Sequence, residues 1–161
     1  MQRHTRNLEA TKELFAPCTG GTESVHTLGG HVGYLVDSQD DNAHSELYLP
    51  WDFHKLTEAK VVFLALATLT PMNFRVVTDF CQAEAAYFQH NNQTDHEVNT
   101  MLNRVQECDI SQALIGLVTN APLEAKDYLG VQISRPAGFN TNAQILGVRI
   151  RYDTPIYARA P

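Results

Sequence analysis

The chain of 161 residues lacks the residue groupings on which most enzymes and metalloproteins depend. Its three cysteines, Cys18, Cys81 and Cys108, contain no CxxC pair, and their odd number argues against a complete disulfide framework. No HxH, HExxH or HxxxH pair, GxSxG elbow, GxGxxG loop or Walker loop occurs. The sequence therefore carries no standard zinc, serine-hydrolase or nucleotide-binding motif, and the cysteine count fits a reducing compartment.

Positive charge is also scarce. Charged residues make up 19% of the chain, the formal net charge is -6, and lysines and arginines do not cluster. This pattern predicts no nucleic-acid partner. The longest apolar run, residues 61–67, is too short to cross a bilayer, and the polar N-terminus has no apolar signal core, so we expect no membrane partner and no export signal. Four arginines are spaced along apparent strands and are expected to face solvent: Arg135, Arg149, Arg151 and Arg159.

What the chain does contain is a series of short apolar segments bounded by Pro, Asn, Asp and Gly. SELYLPWDF, KVVFLALAT, NFRVVTDF, DYLGVQISR and QILGVRIRY are rich in β-branched and aromatic residues. This spacing predicts an all-β fold, a β-sandwich or jelly roll with an extended N-terminal arm and one or two short helices. Such a fold without a reactive motif is more typical of a binding or assembly protein than of an enzyme.

Three regions follow from this pattern. Residues 1–45 are predicted to form an arm, with a short helix over residues 6–15, extended crossings over 25–28 and 32–36, and a polar loop. Residues 46–152 form the sandwich, and residues 153–161 an extended tail. Residues 60–68, apolar on both faces, are expected to be a central strand covered by a second layer or by a subunit neighbour.

The local patterns inside the sandwich predict further elements. Residues 73–80, 97–105, 127–135 and 144–152 alternate like strands, and 81–88 are taken as a continued strand. HNNQTD and PAGFNTNA are predicted turns. Asp52 is expected to cap one helical turn over residues 53–56, and Asp109 or Ser111 a short helix over 112–117.

We predict no catalytic, cofactor or metal site, because no candidate ligand or catalytic group occurs in a recognised pattern. The seven histidines are isolated in sequence: His4, His26, His31, His44, His54, His90 and His96. The acidic loop does not match an EF-hand, although it offers oxygen ligands at Asp37, Asp40, Asp41, Asn42 and Glu46. Asp79 and Glu84 form a carboxylate pair that any chain of this size offers.

The aromatic residues suggest a hypothesis about ligand binding. A sugar-stacking face is one interpretation, and core packing is the alternative for most of the residues concerned: Tyr48, Trp51, Phe53, Tyr87, Phe88 and Tyr128. Trp51, in the PWDF turn, is expected to anchor that turn to the core.

The order of these segments resembles the small β-sandwich or jelly-roll structural proteins of tailed bacteriophages. The resemblance covers residues 45–152: a polar and aromatic P-x-D-F turn that introduces a strand, a DIS segment with a short helix, DYLGV, and a final strand ending in LGVRIRY. It implies a non-enzymatic virion component, first of all a capsid decoration or cement protein, or a tail- or fibre-associated module.

The resemblance also implies partners and a location. We expect a homo-oligomer, with a trimer as the first guess, attached through its arm to the major capsid protein or another virion protein, in a particle assembled in the host cytoplasm. The alternative is a carbohydrate-binding β-sandwich of a phage tail, a fibre or a secreted enzyme, which makes a glycan a further candidate partner. A small hydrolase on a jelly roll is the third hypothesis.

Overall fold

The computed structural model describes residues 8–22, 25–28, 30–81, 90–115 and 123–156. Within these ranges the chain forms ten strands and one short helix, which confirms the predicted all-β class. The elements are β1 Leu8–Gly21, β2 Val25–Leu28, β3 His31–Val36, β4 Asn42–Tyr48, β5 Lys55–Ala65, β6 Met72–Cys81, β7 His90–Val98, β8 Val105–Asp109, α1 Ser111–Ile115, β9 Tyr128–Ser134 and β10 Ala143–Ile156.

The strands form two antiparallel sheets of a β-sandwich of the jelly-roll type. In the first sheet β5 lies between β8 and β10, and the other edge of β10 is shared by β1 and β3, with β2 beyond β3. In the second sheet the order is β1, β4, β9, β6 and β7. Strand β1 therefore belongs to both sheets.

The core lies between the sheets because one face of each strand is apolar. In β6, Phe74, Val76, Thr78 and Phe80 are buried, while the residues between them are partly exposed. In β9 the buried set is Leu129, Val131 and Ile133. The rings of Phe63 on β5 and Phe74 on β6 meet edge to face, with centroids 4.9 Å apart, and connect the two sheets. The sequence predicted these alternations correctly.

Strand β1 corrects the expected N-terminal helix. From Leu8 to Pro17 it pairs with Ile156 to Gly147 of β10, and from Cys18 to Gly21 it pairs with Ser45 to Ala43 of β4. A helix of about ten residues is marginal alone. Two sheet edges instead offer this segment a hydrogen-bond partner along its length, and tertiary pairing overrides the weak local preference.

The predicted boundary after residue 45 falls inside β4, which spans Asn42–Tyr48. The extended segments at residues 25–28 and 32–36 are confirmed as β2 and most of β3. Residues 153–156 of the expected tail are the end of β10 and pair with the start of β1. Residues 8–22 are thus members of the sheets, and a role for the N-terminal region in attachment stays a prediction.

Three local predictions were wrong. HNNQTD, expected as a turn, lies in β7, because its backbone pairs with β6 and its polar side chains suit an edge strand. The strand predicted over residues 97–105 is interrupted by a loop over residues 99–104, where Asn103 adopts a positive φ of 60°. The helical turn after Asp52 is a tight turn in which the Phe53 N–H donates to the Pro50 carbonyl over 3.0 Å. Of the strand predicted over residues 81–88, only Cys81 belongs to the described residues, where it ends β6.

Helix α1 confirms the helix predicted near residue 112, although its predicted end at 117 lies outside the described residues. The Asp109 carboxylate accepts a hydrogen bond of 2.8 Å from the Ser111 N–H at its start. In the part of the chain that the structure describes, no helix is long and apolar enough to span a membrane.

The outer face of the first sheet is held by Arg149. Its guanidinium donates to Glu13 on β1 at 2.8 Å, to Glu58 on β5 at 3.0 Å and to Glu107 on β8 at 2.9 Å. Only 12% of its side chain is exposed, so this arginine links strands rather than simply facing solvent as the sequence predicted. Arg135 likewise binds backbone, donating to the carbonyls of Asp37 and Phe139, whereas Arg159 lies outside the described residues.

We expect Gly147→Ala to destabilise the fold by about 1–3 kcal/mol. A Cβ at Gly147 would lie 2.3 Å from the Ala16 carbonyl oxygen, because β1 crosses closely over β10 there. The control is Gly130→Ala, the same change in mid-strand of β9, where the nearest atom is 3.8 Å away and the substitution should be neutral or stabilising by up to about 1 kcal/mol. Urea unfolding of both variants measures the difference. Equal stabilities would contradict the close approach of β1 and β10.

Candidate functional site

The outer face of the second sheet carries a cross-strand arrangement of two tyrosines and two carboxylates. On β9, Gly130 is opposite Glu46 of β4 on one side and Asp79 of β6 on the other. Tyr128, two residues earlier on the same face, is opposite Tyr48 and Cys81. Residues directly opposite in antiparallel strands have Cβ atoms about 5 Å apart, so the pairing brings these side chains together.

A groove of about 510 Å³ opens at this position, and we call it the Gly130 groove. Because glycine has no side chain, the sheet surface is open between Glu46 and Asp79. The groove is within the size range of small-ligand sites. Its lining residues are Glu46, Leu47, Tyr48, Asp79, Cys81, Tyr128, Leu129 and Gly130.

The tyrosines form one wall of the groove. Their ring centroids are 4.9 Å apart with planes at 50°, and Tyr48 and Tyr128 remain 51% and 52% exposed. Core aromatic pairs in this protein, such as Phe63 and Phe74, are instead buried. Two contacting rings held by neighbouring strands, with half their surface in solvent, provide a rigid aromatic surface for a ligand.

Two carboxylates, those of Glu46 and Asp79, border the groove. Among the described residues, neither Glu46 nor Asp79 forms an ion pair or a side-chain hydrogen bond. Partial burial raises the pKa of Asp79 above its usual value. Their strands are two positions apart in the sheet, which places their Cβ atoms about 10 Å apart.

The cysteines differ from the sequence expectation. Cys81, expected to be buried, is half-buried and lines the groove, whereas Cys108 is the buried one. Burial raises the pKa values of Cys18 and Cys108 to about 11, so both thiols stay protonated at neutral pH. All three cysteines are free.

The acidic loop has a structural explanation. The Asp41 carboxylate accepts hydrogen bonds from the Asp37 and Ser38 N–H groups at 3.0 and 2.7 Å and closes the turn on itself. Glu46 is separated from that turn, on the groove face of β4. No group of three or more His, Cys, Asp or Glu residues in the described ranges could hold a metal ion.

Two of the histidines make separate, local contacts. His44 and His96 bond to Asn42 and Thr94 at 2.8 and 2.7 Å. The side chains of His26 and His90 are not described, and His4 lies outside the described residues, as do Glu84, Tyr87 and Phe88.

The PWDF turn corrects the expected role of Trp51. The ring that anchors this turn is Phe53, which is buried against Tyr152 with centroids 5.4 Å apart. The Asp52 carboxylate also pairs with Lys12 and accepts a hydrogen bond from Thr154 at 3.2 Å. Trp51 is 75% exposed and borders a second, smaller depression with Asp52, Phe53, His54 and Pro155.

Sequence reasoning identified the two tyrosines as members of a broader aromatic set but did not single them out. It also missed Gly130 and the placement of Glu46 and Asp79 on either side of it. Strand alternation in the sequence already put Tyr128, Gly130 and Asp79 on the faces opposite the apolar residues of their strands. The missing information was the lateral order of β4, β9 and β6, which are not consecutive in the chain.

No protein-family model and no curated protein matches the sequence. Solved structures show a distant likeness. An exo-β-1,3-galactanase from Phanerochaete chrysosporium with galactose aligns with 89% of this chain at 12% identity and a TM-score of 0.48, and its complex with β-1,3-galactotriose aligns with 91% at 13% identity and 0.46. The chain spans 29% of that enzyme's chain.

Desmodium yellow mottle tymovirus aligns with 96% of this chain, and over 92% of its own, at 8% identity and a TM-score of 0.32. With identities of 8–13% and TM-scores below 0.5, none of these likenesses assigns a function to this protein. The function has to be inferred from the site itself.

We expect Phe53→Ala to destabilise the protein by about 3–5 kcal/mol, because it removes a buried ring from the Tyr152 contact. Trp51→Ala is the control from the same turn and should change stability by about 0.5 kcal/mol or less, because the ring is mostly in solvent. Thermal and urea unfolding compare the two. A larger loss from Trp51→Ala would restore the original prediction that this ring anchors the turn.

Proposed function

We propose that this protein is a non-catalytic carbohydrate-binding β-sandwich whose ligand lies in the Gly130 groove. The observation that carries the proposal is the exposed, contacting pair of Tyr48 and Tyr128 beside an open sheet surface. One face of a pyranose ring presents C–H groups and its rim presents hydroxyls. The tyrosine rings suit contact with the C–H groups, and the Glu46 and Asp79 carboxylates accept hydrogen bonds from the hydroxyls.

Binding without hydrolysis is the version that the geometry favours. Retaining glycosidases hold two carboxyl groups about 5–5.5 Å apart and inverting ones about 6.5–9.5 Å apart. The strand spacing places the Cβ atoms of Glu46 and Asp79 about 10 Å apart, too far for the close carboxyl pair of a retaining enzyme. Burial raises the pKa of Asp79, as a general acid needs, so an assay for released reducing ends decides between binding and inverting hydrolysis.

A glycan array, followed by calorimetry on the best ligand, tests this function. We expect Tyr128→Ala and Tyr48→Ala each to weaken binding at least tenfold without unfolding the protein, since both rings are exposed. Phe139→Ala removes an exposed ring from the turn after β9 and serves as the matched control. Absence of binding to every glycan on the array would falsify the proposal, and release of reducing ends from a bound glycan would contradict its non-catalytic part.

A structural role in a virion is the second candidate, and a specific observation favours it. Met101, Leu102 and Val105, each about half exposed, lie close together in sequence at the start of β8 and in the loop before it, and we call them the apolar cluster. The loop is fixed in place: the Asn103 N–H donates to the Ala65 carbonyl at 2.8 Å and the Leu102 N–H to the Thr68 hydroxyl at 3.1 Å.

This apolar cluster adjoins β8, whose only partner among the described strands is β5. Rigid, exposed apolar side chains beside a strand edge suit contact with a second copy of the chain. In this proposed role the protein is a bacteriophage capsid decoration protein that attaches to the shell protein, and a homotrimer is the oligomer expected first. The expected trimer, phage origin and virion location are predictions from the sequence resemblance.

We expect Leu102→Glu to shift the protein from an oligomer to a monomer in size-exclusion chromatography with light scattering, because it places a charge in the contact. Gln112→Glu, at an exposed position of α1, is the control for added charge. Peptide mass spectrometry of purified particles then tests location. Hundreds of copies per particle indicate decoration and a few copies indicate a tail or fibre, while absence from particles or a monomeric parent protein rejects this role.

A further inference from the structure

We propose that the Gly130 groove selects sugars that carry a free amine, so that its preferred ligand is a hexosamine glycan rather than a neutral, N-acetylated or acidic one. The inference rests on the proposed carbohydrate-binding function and deepens it. It is drawn from the charges around the groove, whereas glycan binding as such is drawn from the two tyrosines.

The first argument is the position of the carboxylates. Glu46 and Asp79 flank Gly130 on neighbouring strands, so a group resting on the groove floor lies between two acidic side chains. A hydrogen bond between an ammonium and a carboxylate is roughly twice as strong as one between neutral groups. A sugar hydroxyl or acetamide would satisfy these oxygens less well, and a sugar carboxylate would be repelled.

The second argument is that nothing described around the groove already neutralises these carboxylates. The nearest cation along the same face of β6 is Arg75, and it is engaged by Asp95 on β7 through two hydrogen bonds of 2.8 and 2.9 Å. His44, the next outward residue on β4, is bonded to Asn42. Partial burial of Asp79 disfavours its charged form and raises its pKa, and a cation bound beside the carboxylate would offset that cost.

The third argument is the aromatic wall. A cation within about 6 Å of a tyrosine ring is attracted by the electrons of its face. Tyr48 and Tyr128 line the groove together with Glu46 and Asp79, so an ammonium in the groove lies near aromatic rings as well as carboxylates. The net charge of -6 further favours the approach of a cationic ligand over an anionic one.

Calorimetry with three matched ligands tests the selectivity: tetramers of β-1,4-linked glucosamine, N-acetylglucosamine and glucose, which differ only in the group at C2. The titrations run at about pH 6, above the ordinary pKa of a carboxyl group and below that of an amine. We expect the glucosamine tetramer to bind at least tenfold more tightly than the other two, with a preference that falls as salt is added.

Variants assign the effect to the carboxylates. Glu46→Gln and Asp79→Asn keep an oxygen that accepts from sugar hydroxyls but lose the negative charge. Each should therefore lower the preference for the glucosamine tetramer over the glucose tetramer about three- to tenfold, whereas Tyr128→Ala should weaken the binding of both. Glu97→Gln, an exposed acid on β7 outside the groove, is the control and should change neither. Unfolding curves of all variants confirm that the fold is retained.

The possible failures are distinct. Equal affinity for the three tetramers, or binding of none of them, overturns the amine selectivity. The array result with other glycans decides the carbohydrate-binding function separately. A preference for the glucosamine tetramer that survives both carboxylate substitutions also overturns the inference, because the selectivity would then have another source.

Discussion

The structure depends on the passage of β1 from one sheet to the other. The strand leaves the edge of β10 near Pro17 and joins β4 at Cys18, with a register shift between Cys18 and Gly20. The crossing brings the Ala16 carbonyl so close to β10 that Gly147 has no room for a Cβ. Because β1 supplies backbone hydrogen bonds to both sheets, their relative placement is fixed at this point.

The two outer faces of the sandwich differ in how their charges are satisfied. On the first sheet, Arg149 reaches carboxylates on β1, β5 and β8, so the charges there stabilise strand packing. On the second sheet, Glu46 and Asp79 have no such partner among the described residues. Unsatisfied charge beside exposed aromatic rings is a feature of binding surfaces, and this contrast is why we place function on the second sheet.

The groove and the apolar cluster of Met101, Leu102 and Val105 lie on different sheets. The groove is on β4, β9 and β6, while the cluster adjoins β8 at the edge of the first sheet. If copies associate through the cluster and the groove stays open, the assembly presents several grooves. Such multivalency raises the overall affinity of weak glycan sites. The two proposed roles are compatible with a sugar-binding component of a larger assembly.

Much of this architecture could be predicted from the sequence, because it produces patterns among residues that are neighbours in the chain. Alternation of apolar and polar residues identified β6, β9 and most of β10, and the turn residues of PAGFNTNA placed a connection correctly. These signals depend on neighbours in the chain. They failed for β1 and β7, where a weak helical pattern and a polar composition were overridden by pairing with distant strands.

By itself, then, the sequence determined the all-β class, the inward and outward faces of the regular strands, and the outward position of Tyr128, Gly130 and Asp79. Only the tertiary structure decided that β9 lies between β4 and β6, that Tyr48 contacts Tyr128, and that Phe53 rather than Trp51 enters the core. The physical reason is that lateral strand order and register are set by long-range backbone hydrogen bonds and core packing, which leave no periodic trace in the sequence.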